Sequence, residues 1–332
     1  MAESPDRRAL FTEGEGNAAR VITDLDRLFA PIGAAAFFAD HYEKQPLCLT
    51  ADGARGALHG GTVDGPPRSS DAILTHDALL TALAGAEHVP EGLLLFPEHV
   101  GASTTDLVGD PARLRAYLEA GYPLVWNRAR GVAPAIDALA ALLAETLGAH
   151  VWPNIYATGT VGTPFDMHFD THEVIAIQCE GEKEWVISEV RENRPLDAAE
   201  LEPAVSAALR LRRDEAAGRV CCTFTVKPGD LVYIPRGQFH NARAIGGRSL
   251  HVTFGIQLPS GFDLARQIVL DLLGEPLLRE FVPPRASDPS SLRTEALLDE
   301  VAARLRAAFT TERLMEKDAE VRAFWVRRRR GG

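Results

Sequence analysis

Hydrophobic positions change their spacing twice along this chain. Before residue 150 they recur every three or four residues, the period of a helix with one buried face. Leu25, Leu28, Phe29, Phe37 and Phe38 mark a helical stretch over 24–42, interrupted at Pro31–Gly33 and stopped by Lys44-Gln45-Pro46. Helices are predicted at 75–84, at 111–120 with Asp110 as N-cap, and at Pro134–Leu147. Leu47–Leu49 and 122–127 read as strands, residues 1–20 as a flexible polar terminus, and 51–70, rich in Gly, Pro and Ser, as a loop.

Between 151 and 256 short β-branched and aromatic runs take over: 151–158, 173–179, 184–188, Val220–Val226, Leu231–Ile234 and 249–256. Turn residues separate them at 159–164, 180–182, 227–230, 236–237 and 246–247. Many short strands with regular turns predict an all-β sandwich or barrel. A charged helical insertion at 196–217 interrupts the series. Beyond Leu258 the helical period returns at 262–273 and 277–281, then, after a linker at 283–291, at 292–309 and 311–327. The closing Arg327–Arg330 reads as a solvated helix end.

Composition narrows the class. The 332 residues, 46% hydrophobic and 24% charged, describe a globular chain with enough apolar material for a sizeable core in one or two domains. A formal net charge of -11 argues against direct nucleic-acid binding, which needs clustered Lys and Arg. No apolar run reaches bilayer length and the N-terminus lacks a signal-peptide core, so the expectation is no membrane and a cytoplasmic location. Cys48, Cys179, Cys221 and Cys222 have no CxxC spacing. They read as reduced buried thiols, with Cys221 and Cys222 on opposite faces of a strand.

The sharpest chemical signal is His168-Phe169-Asp170. On a strand, positions two apart share a face, so an HxD step delivers an imidazole and a carboxylate to one point. Alone it is a weak signal. It gains weight from 229–240, where a Lys227-Pro228-Gly229-Asp230 turn leads into an apolar strand that ends at Pro235, turns at Gly237 and presents His240. That spacing is the second cupin motif. His168, Asp170 and His240 would form the two-histidine, one-carboxylate facial triad that suits Fe(II) and leaves half the coordination shell for a chelating keto acid and O2. Zinc would prefer a closed or nearly closed shell. His172 and Glu173 are rival ligands; His172 shares the parity of the pair but lies a further step of about 6.6 Å along the strand, as a pocket-wall residue.

The string Asn154-Ile155-Tyr156, His168-Phe169-Asp170 and Gln178-Cys179-Glu180-Gly181-Glu182-Lys183-Glu184-Trp185 resembles the JmjC-type cupin hydroxylases. Glu43-Lys44-Gln45-Pro46-Leu47 before it and 227–240 after it resemble the same family, in the branch of ribosomal oxygenases that hydroxylate His or Arg side chains of ribosomal proteins. The resemblance covers 24–260. It implies a mainly β catalytic domain over 21–258, a double-stranded β-helix of the cupin/JmjC jelly-roll type with an N-terminal α/β flank, and a C-terminal helical region over 259–332 serving a homodimer. It implies Fe(II), 2-oxoglutarate as co-substrate and O2, and a protein or peptide substrate.

It also implies that Lys183 binds the distal carboxylate of 2-oxoglutarate; from the residues alone, a solvated lysine between Glu182 and Glu184 is the rival reading. Asn154 and Tyr156 would serve 2-oxoglutarate or substrate, against simple core packing. His172, Gln178, Asn241, Ser249 and His251 are the further pocket candidates. Two departures bear on the substrate. The residues after Leu258 are few for helices and a complete winged helix together, and the 196–217 insertion is distinctive, so a natural-product precursor peptide stands beside a ribosomal protein. Two other classes compete: a metal cupin that uses no 2-oxoglutarate, commonly with HxH and a fourth ligand, and a non-catalytic JmjC-like binding protein with degraded ligands.

Overall fold

The computed structural model describes residues 24–51, 73–86, 88–95, 103–158, 166–196, 212–288 and 290–328. The predicted flexible terminus, the loop at 51–70 save its first residue, the turn at 159–164 and most of the 196–217 insertion lie outside them.

The N-terminal flank forms for local reasons. Asp24 caps α1 (Leu25–Leu28) by accepting the Arg27 backbone N–H at 2.8 Å. After the Pro31 interruption, α2 (Gly33–Ala36) runs into a π-helical turn at Phe37–His41. Phe29 stacks on Phe37, and Phe37 meets Tyr233 edge-on. β1 (Leu47–Leu49), α3 (His76–Ala84), β2 (Leu93–Leu94), α4 (Thr104–Val108), α5 (Pro111–Glu119), β3 (Leu124–Trp126) and α6 (Pro134–Leu147) follow. Asp110 caps α5 as predicted, accepting from Ala112 and Arg113.

The core sheet adds β4 (His150–Thr158), β5 (Glu173–Arg191), β6 (Val220–Val226), β7 (Leu231–Ile234) and β8 (Gln238–Gln257). Its order among the described residues is β1-β7-β5-β8-β4-β3-β2, with β6 on β5. Cys48, Val174, Ala176, Trp185, Ile187, Val226, Val232 and Ile234 form one core cluster on these strands. A helix, α7 (212–218), is what the described residues retain of the insertion.

Contacts divide the chain into two units. One comprises 1–142 with 152–255; the other comprises 143–151 with 256–332. The second contains α8 (Gly261–Asp271), α9 (Leu292–Ala308) and α10 (Thr311–Arg328). Ile268, Leu272 and Ala308 are buried together within it. Arg322 of α10 donates to the carbonyls of Leu147 and Gly148 at 3.1 and 3.0 Å.

The structure corrects several sequence expectations. The strands predicted at 173–179 and 184–188 are one, β5, because Gly181 bends the chain at φ 65° without ending the pairing. A Cβ there would sit 1.9 Å from the Arg248 carbonyl oxygen, so only glycine lets β8 pass so close. The run at 249–256 likewise begins at Gln238 and passes through Gly246–Gly247. The 277–281 segment is a 3-10 turn at Pro276–Arg279, with Phe281 97% exposed. Cys221 and Cys222 do not point to opposite faces: their sulfurs lie 3.3 Å apart. The register shifts there, pairing Ile187 with Cys222 and Ser188 with Val220, so Cys221 is a bulge residue and exposed. Only Cys48 and Cys179 are buried as expected.

Candidate metal centre

His168 and His240 meet directly through the backbone. Each accepts the other's N–H, at 3.0 and 2.7 Å, in an isolated antiparallel bridge. The HxD segment is therefore not a regular strand, as the sequence reading supposed, but an extended stretch pinned at one residue pair. A second tie comes from the cupin turn. Gly237, at φ 80°, donates its N–H to the Asp170 carbonyl at 2.8 Å, and a Cβ on it would lie 2.0 Å from the Glu192 carbonyl oxygen. Between the ligands, Phe169 packs edge-on against Phe239 beside Met167 and Val190, so the alternate positions anchor in apolar core.

The side chains converge accordingly. One ligand atom each from His168, Asp170 and His240 lies within 4.8 Å of the others, and no fourth His, Cys, Asp or Glu among the described residues joins them. The His240 Nε2 is 3.8 Å from Asp170 Oδ2. Both imidazoles are oriented by their second nitrogen. His168 Nδ1 bonds to the Asp166 carbonyl at 2.7 Å and His240 Nδ1 to the Gln238 carbonyl at 2.9 Å. A carbonyl only accepts, so Nδ1 carries the proton and Nε2 offers its lone pair to an ion. Burial, with the nearby His168 second, pushes His240 down to about 4, which keeps it neutral and ready to ligate. The donor set fits a divalent ion of the iron type with an open face. Neither His172 nor Glu173 belongs to it. Glu173 is buried against the Tyr233 hydroxyl, and burial raises its pKa.

A second polar cluster lies along the same strands. Lys183 is 1% exposed, and its ammonium lies 2.9 Å from His251 Nδ1. Tyr156 stacks on the His251 ring at 4.7 Å and 6°. Trp185, two positions from Lys183 and so on the same face of β5, stacks over His240 at 5.9 Å and meets His251 edge-on at 5.7 Å. Trp185 thus joins the two clusters. Its parity with Lys183 was the available signal, and the sequence reading did not use it. Asn154 hydrogen-bonds Tyr156 and accepts the Arg128 N–H at 2.9 Å. Tyr156 in turn feels the Asp170 charge, which adds to burial in raising its pKa.

The remaining candidates separate. His172 packs edge-on against Trp152 at 4.7 Å. Trp152 lies where β8 has Gly255, whose Cβ would be 2.5 Å from the indole. Gln178 and Ser249 are bonded to each other at 2.8 Å, and the same Gln178 amide donates to the Glu180 and Gly181 carbonyls. These bonds brace the Gly181 bend. Asn241 follows His240 on β8, where strand alternation turns it to the other face.

Residues 127–264 match the JmjC domain family model. Ribosomal oxygenase 1 of Rattus norvegicus is 29% identical over 180 residues, covering 54% of this chain and 29% of the relative. Ribosomal oxygenase 2 of Bos taurus is 34% identical over 161 residues, covering 48% and 32%. The chain thus spans about a third of the length of the curated relatives it matches. Among solved structures, Escherichia coli YcfD aligns with a TM-score of 0.53 at 18% identity over 87% of this chain and 71% of that one, which shows a shared fold. YcfD is also known in complex with cobalt and 2-oxoglutarate, at a TM-score of 0.50 and 16% identity over 88% and 70%. The expected jelly-roll core is in place, the JmjC domain match spans all three candidate ligand positions, and over that region the chain is similar to the ribosomal oxygenases.

Proposed function

We propose that the protein is an Fe(II)- and 2-oxoglutarate-dependent oxygenase that hydroxylates an amino-acid side chain in a protein or peptide. The observation that carries it is the convergence of two Nδ1-anchored imidazoles and one carboxylate around a point with no fourth protein ligand among the described residues. His168, Asp170 and His240 would hold the iron. Bound Fe(II) supplies O2 activation coupled to decarboxylation of 2-oxoglutarate to succinate and CO2, with one oxygen entering a C–H bond of the substrate. The chain's residues do the placing. Lys183 receives the distal carboxylate, offsetting the cost of stripping it of water. Trp185 and Tyr156 wall the space between metal and lysine. His172, whose charge reaches His240, and Trp152 against it would be substrate contacts.

The relatives' names support a polypeptide target; one, from Aedes aegypti, is a bifunctional lysine-specific demethylase and histidyl-hydroxylase. The acidic net charge fits a basic ribosomal protein or a basic precursor peptide, and disfavours direct nucleic-acid binding. No described helix is long and apolar enough to cross a membrane. The absence of any CxxC spacing among the four cysteines of the sequence fits a cytoplasmic place. Exposed apolar residues of the C-terminal unit, among them Phe262, Leu270 and Leu273, support a homodimer.

The test is anaerobic loading with Fe(II), then air, 2-oxoglutarate and candidate peptides, following succinate and a mass gain of about 16 Da for one inserted oxygen. His168→Ala and Asp170→Ala should each abolish both. Retention of succinate formation by either variant overturns the assignment.

A further inference from the structure

Lys183 is a cation in the wrong solvent. Its ammonium is buried, and its one polar contact among the described residues is a histidine nitrogen rather than a carboxylate. A buried charge without a counter-ion is costly, so the folded protein holds this lysine at the expense of stability. His251 faces it from β8, with Tyr156 of β4 stacked on that ring and Trp185 of β5 against its edge. Across on β6 its register partner is Val226. The flanking acids point elsewhere: Glu184 pairs with Arg243 at 2.5 Å and Glu182 lies 3.8 Å from Lys227. Among the described residues no acid pairs with the ammonium.

We propose that Lys183 and His251 act as a proton-accepting pair, in which the distal carboxylate of the 2-oxo dicarboxylate supplies the missing counter-ion and its binding brings a proton onto the lysine. His251 is then a positioning residue. Its Nδ1 accepts one N–H of the lysine and turns the remaining bonds toward the ligand, while the Tyr156 stack fixes the ring. Electrostatics agree with the geometry: burial pushes Lys183 down to about 7, and burial with the lysine's charge holds His251 well below the ordinary histidine range. Above neutrality the empty pair is therefore largely neutral, and an arriving carboxylate restores the ammonium.

This inference rests on the oxygenase reading, and the test separates the two. Cobalt(II)-loaded protein is titrated calorimetrically with 2-oxoglutarate and with 2-oxobutyrate, which keeps the chelating end but lacks the distal carboxylate. Each titration is run in two buffers of different ionisation enthalpy. The 2-oxoglutarate titration should show an extra uptake of about one proton at pH 8 and about a tenth of one at pH 6, with affinity falling about fivefold from pH 7 to pH 8. His251→Leu should weaken 2-oxoglutarate at least about tenfold without affecting 2-oxobutyrate, and His251→Gln, which keeps an acceptor, should recover most of the loss. Equal proton counts for the two ligands in the wild-type protein, or equal weakening of both in His251→Leu, overturns the inference alone. Failure of the wild-type protein to bind either keto acid overturns the oxygenase reading with it.

Discussion

At the scale of single residues, the cost of burying Lys183 has a measurable side. The unfolded chain keeps the lysine protonated up to its ordinary pKa of 10.5, whereas the folded protein releases the proton near 7. Between those values the unfolded state binds more protons, so this group's contribution makes stability rise with pH across that window. Lys183→Met should stabilise the ligand-free protein at pH 7 by about 1–4 kcal/mol and flatten that rise, while abolishing 2-oxoglutarate binding. Urea denaturation at pH 7 and pH 9 reads it; an unchanged or lower midpoint at pH 7 would contradict the account. The candidate metal ligands were legible because HxD and Pro-x-Gly-x-x-His are local patterns, even though the HxD segment pairs at a single residue rather than along a strand. The burial of Lys183 was not, since Glu182 and Glu184 beside it give the look of a solvated hairpin. Alternation sends those two acids outward to Lys227 and Arg243 and the lysine inward.

At the scale of elements, glycines at bends do what the sequence reading assigned to turns. Composition marks Gly181 and Gly246–Gly247 as turns between strands, yet β5 and β8 run through them. Local composition marks a glycine but does not say whether a neighbouring strand passes within contact of it; that depends on the assembled sheet. Gly237 is the case with chemical consequences, because its N–H ties the Asp170 carbonyl. Gly237→Ala must strain a positive φ and push against the Glu192 carbonyl, costing more than about 2 kcal/mol. We expect a lower melting temperature together with weaker cobalt binding. A variant that loses stability but keeps full metal affinity would show that the turn does not position the aspartate. The π-helical turn at Phe37–His41 and the Cys221 bulge were equally hidden from periodicity, because each departs from its repeat by a single residue.

At the scale of the whole molecule, the two compact units call for different expectations. The C-terminal unit presents Val269, Leu270 and Leu273 on α8 and the turn after it at 41–55% exposure, and the proposed dimer would cover them. Light scattering should find twice the protomer mass, and Leu270→Glu with Leu273→Glu should return the protomer mass while leaving cobalt binding intact. A wild-type protein that runs as a single protomer at micromolar concentration would end the dimer proposal. The other unit carries all three candidate metal ligands, and the wall proposed to face the substrate rests on an absence. Because Gly255 contributes no side chain, the indole of Trp152 lies against β8 and His172 leans on the indole. One methyl group at that hidden backbone position would force the indole, and the His172 ring that leans on it, to move, while altering none of the three candidate ligands. On the proposed reading, substrate choice can thus change through a residue that never touches the substrate.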